Sequence, residues 1–169
     1  QPHVDGLAIR AEAMDRSLLQ EIQMELAEHL GEFAGVRPGD VVWRGDACGS
    51  DTPPNFRLLR VVEARYVTPH MRRVRLAGEN LLRFSGSGNL HCKLLIPPSG
   101  IAPEWPTLDA GGSFRWPSGP GKPAIRKYTI RGIDVENGTL EVDLVVHGDN
   151  GPGSAWAISA SPGDVVGMV

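Results

Sequence analysis

The chain has 169 residues, of which 41% are hydrophobic and 22% charged, with a formal net charge of −3. This composition is typical of a globular protein, and the slight acidity gives no electrostatic reason to expect nucleic acid or an anionic membrane surface as a partner. The 21 glycines and 14 prolines favour short strands and many turns over a helical bundle.

Residues 1–45 are predicted to form a small β-α-β segment. Leu7–Ala13 alternates apolar or small residues with charged ones, which predicts a strand, and Asp40–Arg44 predicts a second strand. Residues 46–57 follow as a polar linker with two prolines and no periodicity. This small segment is expected either to pack on another part of the protein or to be the remnant of a longer domain.

A single amphipathic helix joins these two predicted strands. Either Asp15 or Ser17 supplies its N-cap, and Gly35 ends it. Its apolar residues recur at helical spacing, which predicts about five turns with one apolar face; they are Leu18, Leu19, Ile22, Leu26, Leu30 and Phe33.

Residues 58–169 predict a mainly β domain, a six-stranded antiparallel barrel. Turn residues separate nearly all the strands, and Asn137-Gly138 between two alternating runs is the strongest hairpin signal. One helix, about Ser154–Ala160, interrupts the strands near the end. The predicted strands are Leu58–Tyr66, Met71–Ala77, Leu90–Ile96, Ile125–Arg131, Thr139–Val146 and Asp164–Val169.

The cysteines and the start of the chain bear on its compartment. Cys48 and Cys92 are far apart in sequence and form no CxxC pair, so neither a disulfide framework nor a metal site is expected. Residues 1–6 show no basic region followed by an apolar core, and no apolar run approaches the roughly 18 residues of a spanning helix. We therefore expect a cytoplasmic protein without membrane insertion.

The first stretch with chemical character is Arg126-Lys127-Tyr128-Thr129. Strand alternation puts Arg126 and Tyr128 on one face and Lys127 and Thr129 on the other. A guanidinium beside an aromatic ring suits a ligand with both a phosphate and a flat ring, and a nearby hydroxyl can hydrogen-bond a ring nitrogen. Taken alone, the four residues describe an ordinary strand with one buried tyrosine better than a ligand site.

The second such stretch is His147–Trp156, which follows an apolar strand and is rich in glycine. The turn leads into a helix whose first free N–H groups are expected near Gly153–Ala155, and such an end attracts anions. A flexible turn before a short helix is the alternative. Together the two stretches suggest a flavin dinucleotide site on a barrel, since no GxGxxG motif supports a Rossmann site.

At these residues the sequence resembles the siderophore-interacting proteins, which are FAD-dependent ferric-siderophore reductases of the ferredoxin-reductase-like superfamily. Arg126–Thr129 is similar to the R-x-Y-[ST] flavin motif of that superfamily. The resemblance covers about residues 58–169 and implies a Greek-key FAD-binding barrel with one phosphate-binding helix. The matching blocks are Val67–Val74, His91–Pro98, Arg126–Arg131, Val145–Gly148, Gly151–Ala157 and Pro162–Asp164.

The resemblance implies roles for the residues at matching positions. Arg126 would bind the FAD phosphates, Tyr128 would lie against the isoalloxazine, and Thr129 would hydrogen-bond near its N5. His147 would lie beside the flavin. No side chain is implied as nucleophile or general acid, because the flavin carries the chemistry.

The helix after His147 would hold the pyrophosphate. The resemblance assigns this to Gly153, Ser154 and Ala155, with Trp156 packing behind or beside it. Gly153 stands where the family more often has alanine, and this exchange of small residues is expected to have no effect.

The implied activity transfers electrons from NAD(P)H through FAD to the Fe(III) of a ferric siderophore, releasing Fe(II). Family members bind NAD(P)H in a second α/β domain, whereas this chain ends in the apolar strand residues Val165–Val169. We therefore expect a truncated chain that lacks the NAD(P)H domain. The alternatives are a flavin domain serving another acceptor and a non-catalytic binding barrel.

Two further groups of residues are candidates for binding. His91 and Lys93 share a strand face that either lines the flavin or ferric-substrate pocket or is simply solvated. Arg72, Arg73 and Arg75 form a basic cluster that either attracts an anionic chelate or is a solvated edge. The solvated interpretation is preferred for both groups.

Overall fold

The computed structural model describes residues 6–86, 91–148 and 151–169. Besides two 3-10 turns, at Pro38–Asp40 and Leu81–Phe84, the elements in chain order are α1 (Arg16–Ala34), β1 (Arg57–Thr68), β2 (Met71–Ala77), β3 (His91–Ile96), β4 (Thr107–Leu108), β5 (Phe114–Arg115), β6 (Ala124–Asp134), β7 (Thr139–Val145), α2 (Pro152–Ser159) and β8 (Val165–Met168). None of the helices in these ranges is long and apolar enough to cross a membrane.

The described residues group into two compact units. The first contains the chain as far as Pro54 together with Pro106–Arg115. The second contains Asn55–Trp105 and Trp116–Val169. The long connection between β3 and β6 therefore contributes its middle part to the first unit.

In the first unit, α1 confirms the predicted helix. Asp15 is the N-cap, and its carboxylate accepts a hydrogen bond from the N–H of Leu18 at 2.9 Å. Gly35 ends the helix with φ of 63°, in the left-handed region that glycine tolerates best. The predicted strands at 7–13 and 40–44 are wrong, because neither segment pairs with another strand, and Leu7 and Ile9 are largely exposed.

The same unit contains a hairpin that the sequence pattern did not predict, formed by β4 and β5. The Asp109 carboxylate accepts hydrogen bonds from the N–H groups of Gly111 and Ser113, at 2.9 and 3.0 Å. The indole of Trp43 donates to the carbonyl of Gly111 at 2.7 Å. The N–H of Leu108 donates to the carbonyl of Asp51, also at 2.7 Å. Strands of two residues thus persist because the N-terminal segment holds them.

The second unit is a closed barrel with the strand order β1-β2-β7-β6-β3-β8, and every neighbouring pair is antiparallel. This confirms the predicted six-stranded antiparallel barrel, with strand ends within about three residues of those expected. Leu90, the first residue of one predicted strand, lies outside the described residues. Asn137-Gly138 does connect β6 to β7, with Gly138 at φ of 60°.

The barrel interior is filled by aliphatic side chains from all six strands. α2 packs against β2, β3, β6 and β7. It contributes Trp156, Ala157 and the following Ala160 to this core. Burying one such aliphatic side chain stabilises the fold by about 1.5–3 kcal/mol. The core therefore anchors α2 firmly. Within this core cluster, the largest fully buried side chains are Leu59, Leu76, Leu81, Leu94, Leu140, Leu144, Met168, Val61, Val74, Val142 and Val166.

The basic cluster on β2 is paired rather than free. The Arg73 guanidinium makes two hydrogen bonds to Asp143, directly across on β7, at 2.7 and 2.8 Å. Arg75 lies 4.0 Å from a carboxylate oxygen of Glu63. Arg72 donates to backbone carbonyls. Protein groups therefore engage Arg72 and Arg73, whereas the exposed Arg75 fits the preferred solvated interpretation.

The Arg73–Asp143 pair predicts a pH dependence of stability. Hydrogen bonding to Arg73 lowers the pKa of Asp143, so its stabilising contribution is present above the unfolded-state pKa near 4 and is lost as pH falls through the lower folded-state pKa. Asp143→Asn should lower the free energy of unfolding by about 1–2 kcal/mol at pH 7. Urea unfolding at pH 7 and at acidic pH should show this difference shrinking. A difference independent of pH would contradict it.

Candidate functional site

β6 presents Arg126 and Tyr128 to the N-terminal end of α2. A methyl group built on Gly153 would overlap the Tyr128 hydroxyl and lie 3.5 Å from Cγ of Arg126. Lys127 and Thr129 are exposed on the opposite face, where they pair across the ladder with Lys93 and His91 of β3. The predicted alternation of this strand is confirmed.

Gly153 is buried and leaves no room for a side chain. The expectation that glycine and alanine are interchangeable here is therefore corrected for this chain. An alanine would require the half-buried ring of Tyr128 to move, because the added Cβ would occupy the space of its hydroxyl. The close approach of tyrosine and helix backbone depends on glycine.

α2 begins two residues before the predicted start. Gly151 is the N-cap in an extended conformation. Because glycine has no side chain, it makes no side-chain capping hydrogen bond. Pro152 follows at the first helical position, where its missing N–H has no cost. The N–H of Ala155 donates to the Gly151 carbonyl at 2.9 Å, so it is used within the helix.

Ser154 ties the loop after β7 to the start of α2. Its hydroxyl donates to the carbonyl of Gly148 and accepts from the N–H of His147 at 3.2 Å. The Ser154 side chain is 5% exposed, so its contribution to an outside ligand would come from the backbone. The imidazole of His147 is exposed beside this loop. Asp149 and Asn150, part of the same predicted stretch, lie outside the described residues.

Tyr128 lies directly opposite Cys92 on β3 and packs against the barrel core. Burial raises the pKa of the Tyr128 phenol, and Arg126 opposes this only partly, so the phenol stays protonated at neutral pH. Burial also raises the pKa of the Cys92 thiol to about 11, which keeps the thiol protonated. This face of β6 therefore offers the neutral ring of Tyr128 with the cationic Arg126 beside it.

His91 is a neighbour of the site that the sequence interpretation left on a solvated face. Its Nδ1 lies 3.3 Å from the hydroxyl of Thr129. The two residues come together through the register of β3 with β6, at a separation of 38 residues along the chain. Only the strand pairing reveals this contact, since nothing in the local sequence around His91 signals it.

Positive charge accumulates around Thr129. Lys93 and Lys127 are directly opposite each other on adjacent strands, an arrangement that is destabilising unless something compensates for it. Neither lysine nor Arg126 forms an ion pair within the described ranges. An open surface pocket lies at these strands, and it is lined by Asn55, His91, Cys92, Lys93, Lys127, Tyr128, Thr129 and Val169.

Trp156 is 8% exposed and belongs to the barrel core. It lies on α2, whose first turn contains Gly153 and Ser154. Its packing holds this helix against the barrel from within. Of the residues singled out from sequence, the structure thus gathers Arg126, Tyr128 and the start of α2 at one place, while Thr129 faces the other side of β6.

The chain thus combines a closed six-stranded antiparallel barrel with a helix whose first turn packs against Arg126 and Tyr128 of β6. Residues 60–169 match the family of siderophore-interacting FAD-binding domains. The chain belongs to this family, which confirms the resemblance found in its sequence.

Two curated relatives illustrate the family. Ferric vibriobactin reductase ViuB of Vibrio cholerae serotype O1 is 34% identical over 114 residues, which is 67% of this chain and 41% of ViuB. The NADPH-dependent ferric-chelate reductase of Escherichia coli K12 is 34% identical over 110 residues, 64% of this chain and 42% of the relative. This chain therefore spans about two-fifths of their length.

A solved structure shows the same fold. The siderophore-interacting protein from Acinetobacter baumannii has a TM-score of 0.51 at 21% identity, covering 68% of this chain and 39% of that protein. The siderophore utilization protein from T. fusca is 35% identical, with a TM-score of 0.47, covering 67% of this chain and 43% of that one.

Proposed function

We propose that this chain holds the FAD of a ferric-siderophore reductase, which passes electrons from NAD(P)H to chelated Fe(III). The observation that carries the proposal is the packing of Arg126 and Tyr128 against Gly153 at the start of α2. FAD has a pyrophosphate and a flat ring system, and this arrangement offers a partner for each.

At the phosphate end, three features fit FAD. The Arg126 guanidinium is exposed and has no carboxylate partner among the described residues. The first N–H groups of α2 lack intrahelical acceptors, and no side chain caps them. We assign pyrophosphate binding to Arg126 and to the backbone N–H groups of Gly153 and Ser154. Ala155, whose N–H bonds Gly151, completes the helix turn behind them.

At the ring end, Tyr128 provides a half-buried aromatic surface that packs against the barrel core. We assign the isoalloxazine to the surface pocket that both Tyr128 and Thr129 line, with Thr129 near N5 and His147 beside the ring. Trp156 supports the site from the core. When bound, FAD supplies a carrier that accepts two electrons as hydride and gives them up singly.

The donor and the acceptor are proposed from the relatives. One relative is named as a ferric vibriobactin reductase and another as an NADPH-dependent ferric-chelate reductase. We place the NAD(P)H site in a further domain outside residues 58–169 and the reaction in the cytoplasm, where NAD(P)H is available. The ferric siderophore is taken as the substrate of the whole reductase.

The experiment has two stages. Purified protein is mixed with FAD and passed through gel filtration, and flavin absorption is expected to remain with the protein. The loaded protein is then reduced chemically without oxygen and mixed with a ferric catecholate chelate, while a colorimetric Fe(II) ligand reports iron reduction. Loss of FAD on the column would contradict flavin binding by this chain. Retained FAD without Fe(II) formation would favour another electron acceptor.

A further inference from the structure

Arg72 on β2 reaches the opposite end of α2 from the proposed pyrophosphate site. Its guanidinium donates to the carbonyl of Ile158 and to that of Ala160 at 2.9 Å. A longer contact of 3.5 Å joins the same group to the carbonyl of Ala64 on β1. One side chain thus connects two barrel strands to the C-terminal end of α2.

The guanidinium is held in a defined position. It lies 5.4 Å from the ring centroid of Tyr66, and its Nε is buried without a hydrogen-bond partner within the described ranges. Arg72 of β2 lies directly opposite Tyr66 of β1 in the antiparallel pair, so the guanidinium and the ring are on the same face of the sheet. Burial of an arginine at such a point costs free energy that its carbonyl contacts must offset.

The location of this charge matters for the other end of the helix. The last carbonyls of a helix carry partial negative charge, and a cation that hydrogen-bonds them stabilises the helix and fixes its end. α2 has eight residues, about 12 Å in length, so a displacement of its C-terminal end is transmitted to Gly151–Ser154. The core contacts of Trp156 and Ala157 act as the pivot between the two ends.

We propose that Arg72 is a positioning residue for the cofactor site, holding α2 so that its N-terminal N–H groups face the pyrophosphate beside Arg126. This inference rests on the proposed function. It separates Arg72 from its neighbour Arg73, which serves only the strand pair β2–β7 through Asp143.

The test compares FAD with FMN, which has the same ring but only one phosphate. Arg72→Met should weaken FAD binding about tenfold, as expected for loss of roughly 1.4 kcal/mol. FMN binding should change about threefold or less, so the ratio of the two affinities falls. Arg72→Lys should recover part of the ratio, because lysine keeps a charge and one carbonyl contact. Isothermal titration calorimetry measures both ligands.

Arg73→Met is the matched control, since it removes an arginine from the same strand and also costs stability. It should lower the unfolding temperature without changing the ratio of FAD to FMN affinity. Hydrogen exchange of residues 151–160 in the ligand-free proteins supplies a second readout, and exchange should accelerate in Arg72→Met only.

An unchanged affinity ratio in Arg72→Met, or an equal fall of that ratio in Arg73→Met, would overturn the positioning role. If Arg72→Met does not fold, the ratio and the exchange rates in Arg72→Lys decide the question. Failure of the unsubstituted protein to bind FAD would instead overturn the proposed function, which distinguishes the two failures.

Discussion

Arg126→Ala is expected to weaken FAD binding by roughly 30- to 150-fold, because it removes a charge-assisted contact worth about 2–3 kcal/mol. The guanidinium is exposed and has no ion pair within the described parts of the chain, so its loss should leave the unfolding temperature unchanged. Arg126→Lys should lie between the two, since lysine retains the charge but not the two-pronged geometry. Flavin fluorescence titration gives the affinities.

The control for this substitution is Arg131→Ala on the same strand. Arg131 is exposed, and its nearest carboxylate oxygen belongs to Asp143 at 3.8 Å, on the outer face of the barrel. The Arg131→Ala variant should bind FAD as the unsubstituted protein does. Raising the salt concentration should weaken FAD binding in the control more than in Arg126→Ala, since an exposed charge is screened. Equal affinities for Arg126→Ala and the control would disprove the assignment.

Gly153→Val is expected to reduce FAD affinity by about 10- to 100-fold, because overpacking at a filled position costs about 1–3 kcal/mol and displaces Tyr128 from the ring site. The displacement has its own signature. Burial raises the pKa of Tyr128 in the folded protein, so its movement toward solvent should bring that pKa back toward the ordinary value. The chain has two tyrosines, so a spectrophotometric titration resolves the change.

Gly151→Ala is the matched control in the same turn. A Cβ at Gly151 meets nothing within 4 Å, and the residue has an extended backbone that any amino acid adopts. It should titrate like the unsubstituted protein and lose little FAD affinity. If Gly153→Val kept both its FAD affinity and the raised tyrosine pKa, then the contact between Tyr128 and the helix would not be part of the site.

The barrel was predictable because each strand carries its own local signals. Met71–Ala77 alternates in sequence, is bounded by turn residues and forms a strand with those same ends. Leu7–Ala13 alternates as well, yet it forms no strand. An alternating pattern indicates that a segment suits a half-buried sheet, but a strand also needs a neighbouring strand to pair with. The opposite error concerns β4 and β5, which form although the sequence pattern did not predict them. The residues that hold them, Trp43 and Asp51, are more than 50 residues away along the chain.

The candidate site divides in the same way. Arg126, Tyr128 and the start of α2 were predictable because each lies in a short motif with an evident physical meaning. His91 and Arg72 were not assigned, since their contacts span 38 and 86 residues and depend on strand register. The cost of a side chain at Gly153 likewise follows from a contact between distant elements, which no single-sequence pattern encodes.

The first unit is built from two separate segments of the chain, which affects limited proteolysis. Because Pro106–Arg115 belongs to that unit, the polypeptide connects the two units at three separate points. A single nick between residues 46 and 54 leaves Pro106–Arg115 joined to the barrel at both ends. We expect the N-terminal fragment to stay bound to Pro106–Arg115 through contacts within the first unit, among them the Trp43 hydrogen bond to Gly111. On a native column the nicked protein should elute as one species, and two bands should emerge only under denaturing conditions. The barrel is consequently not an uninterrupted stretch of chain, and excising it cleanly requires a short bridge in place of residues 106–115.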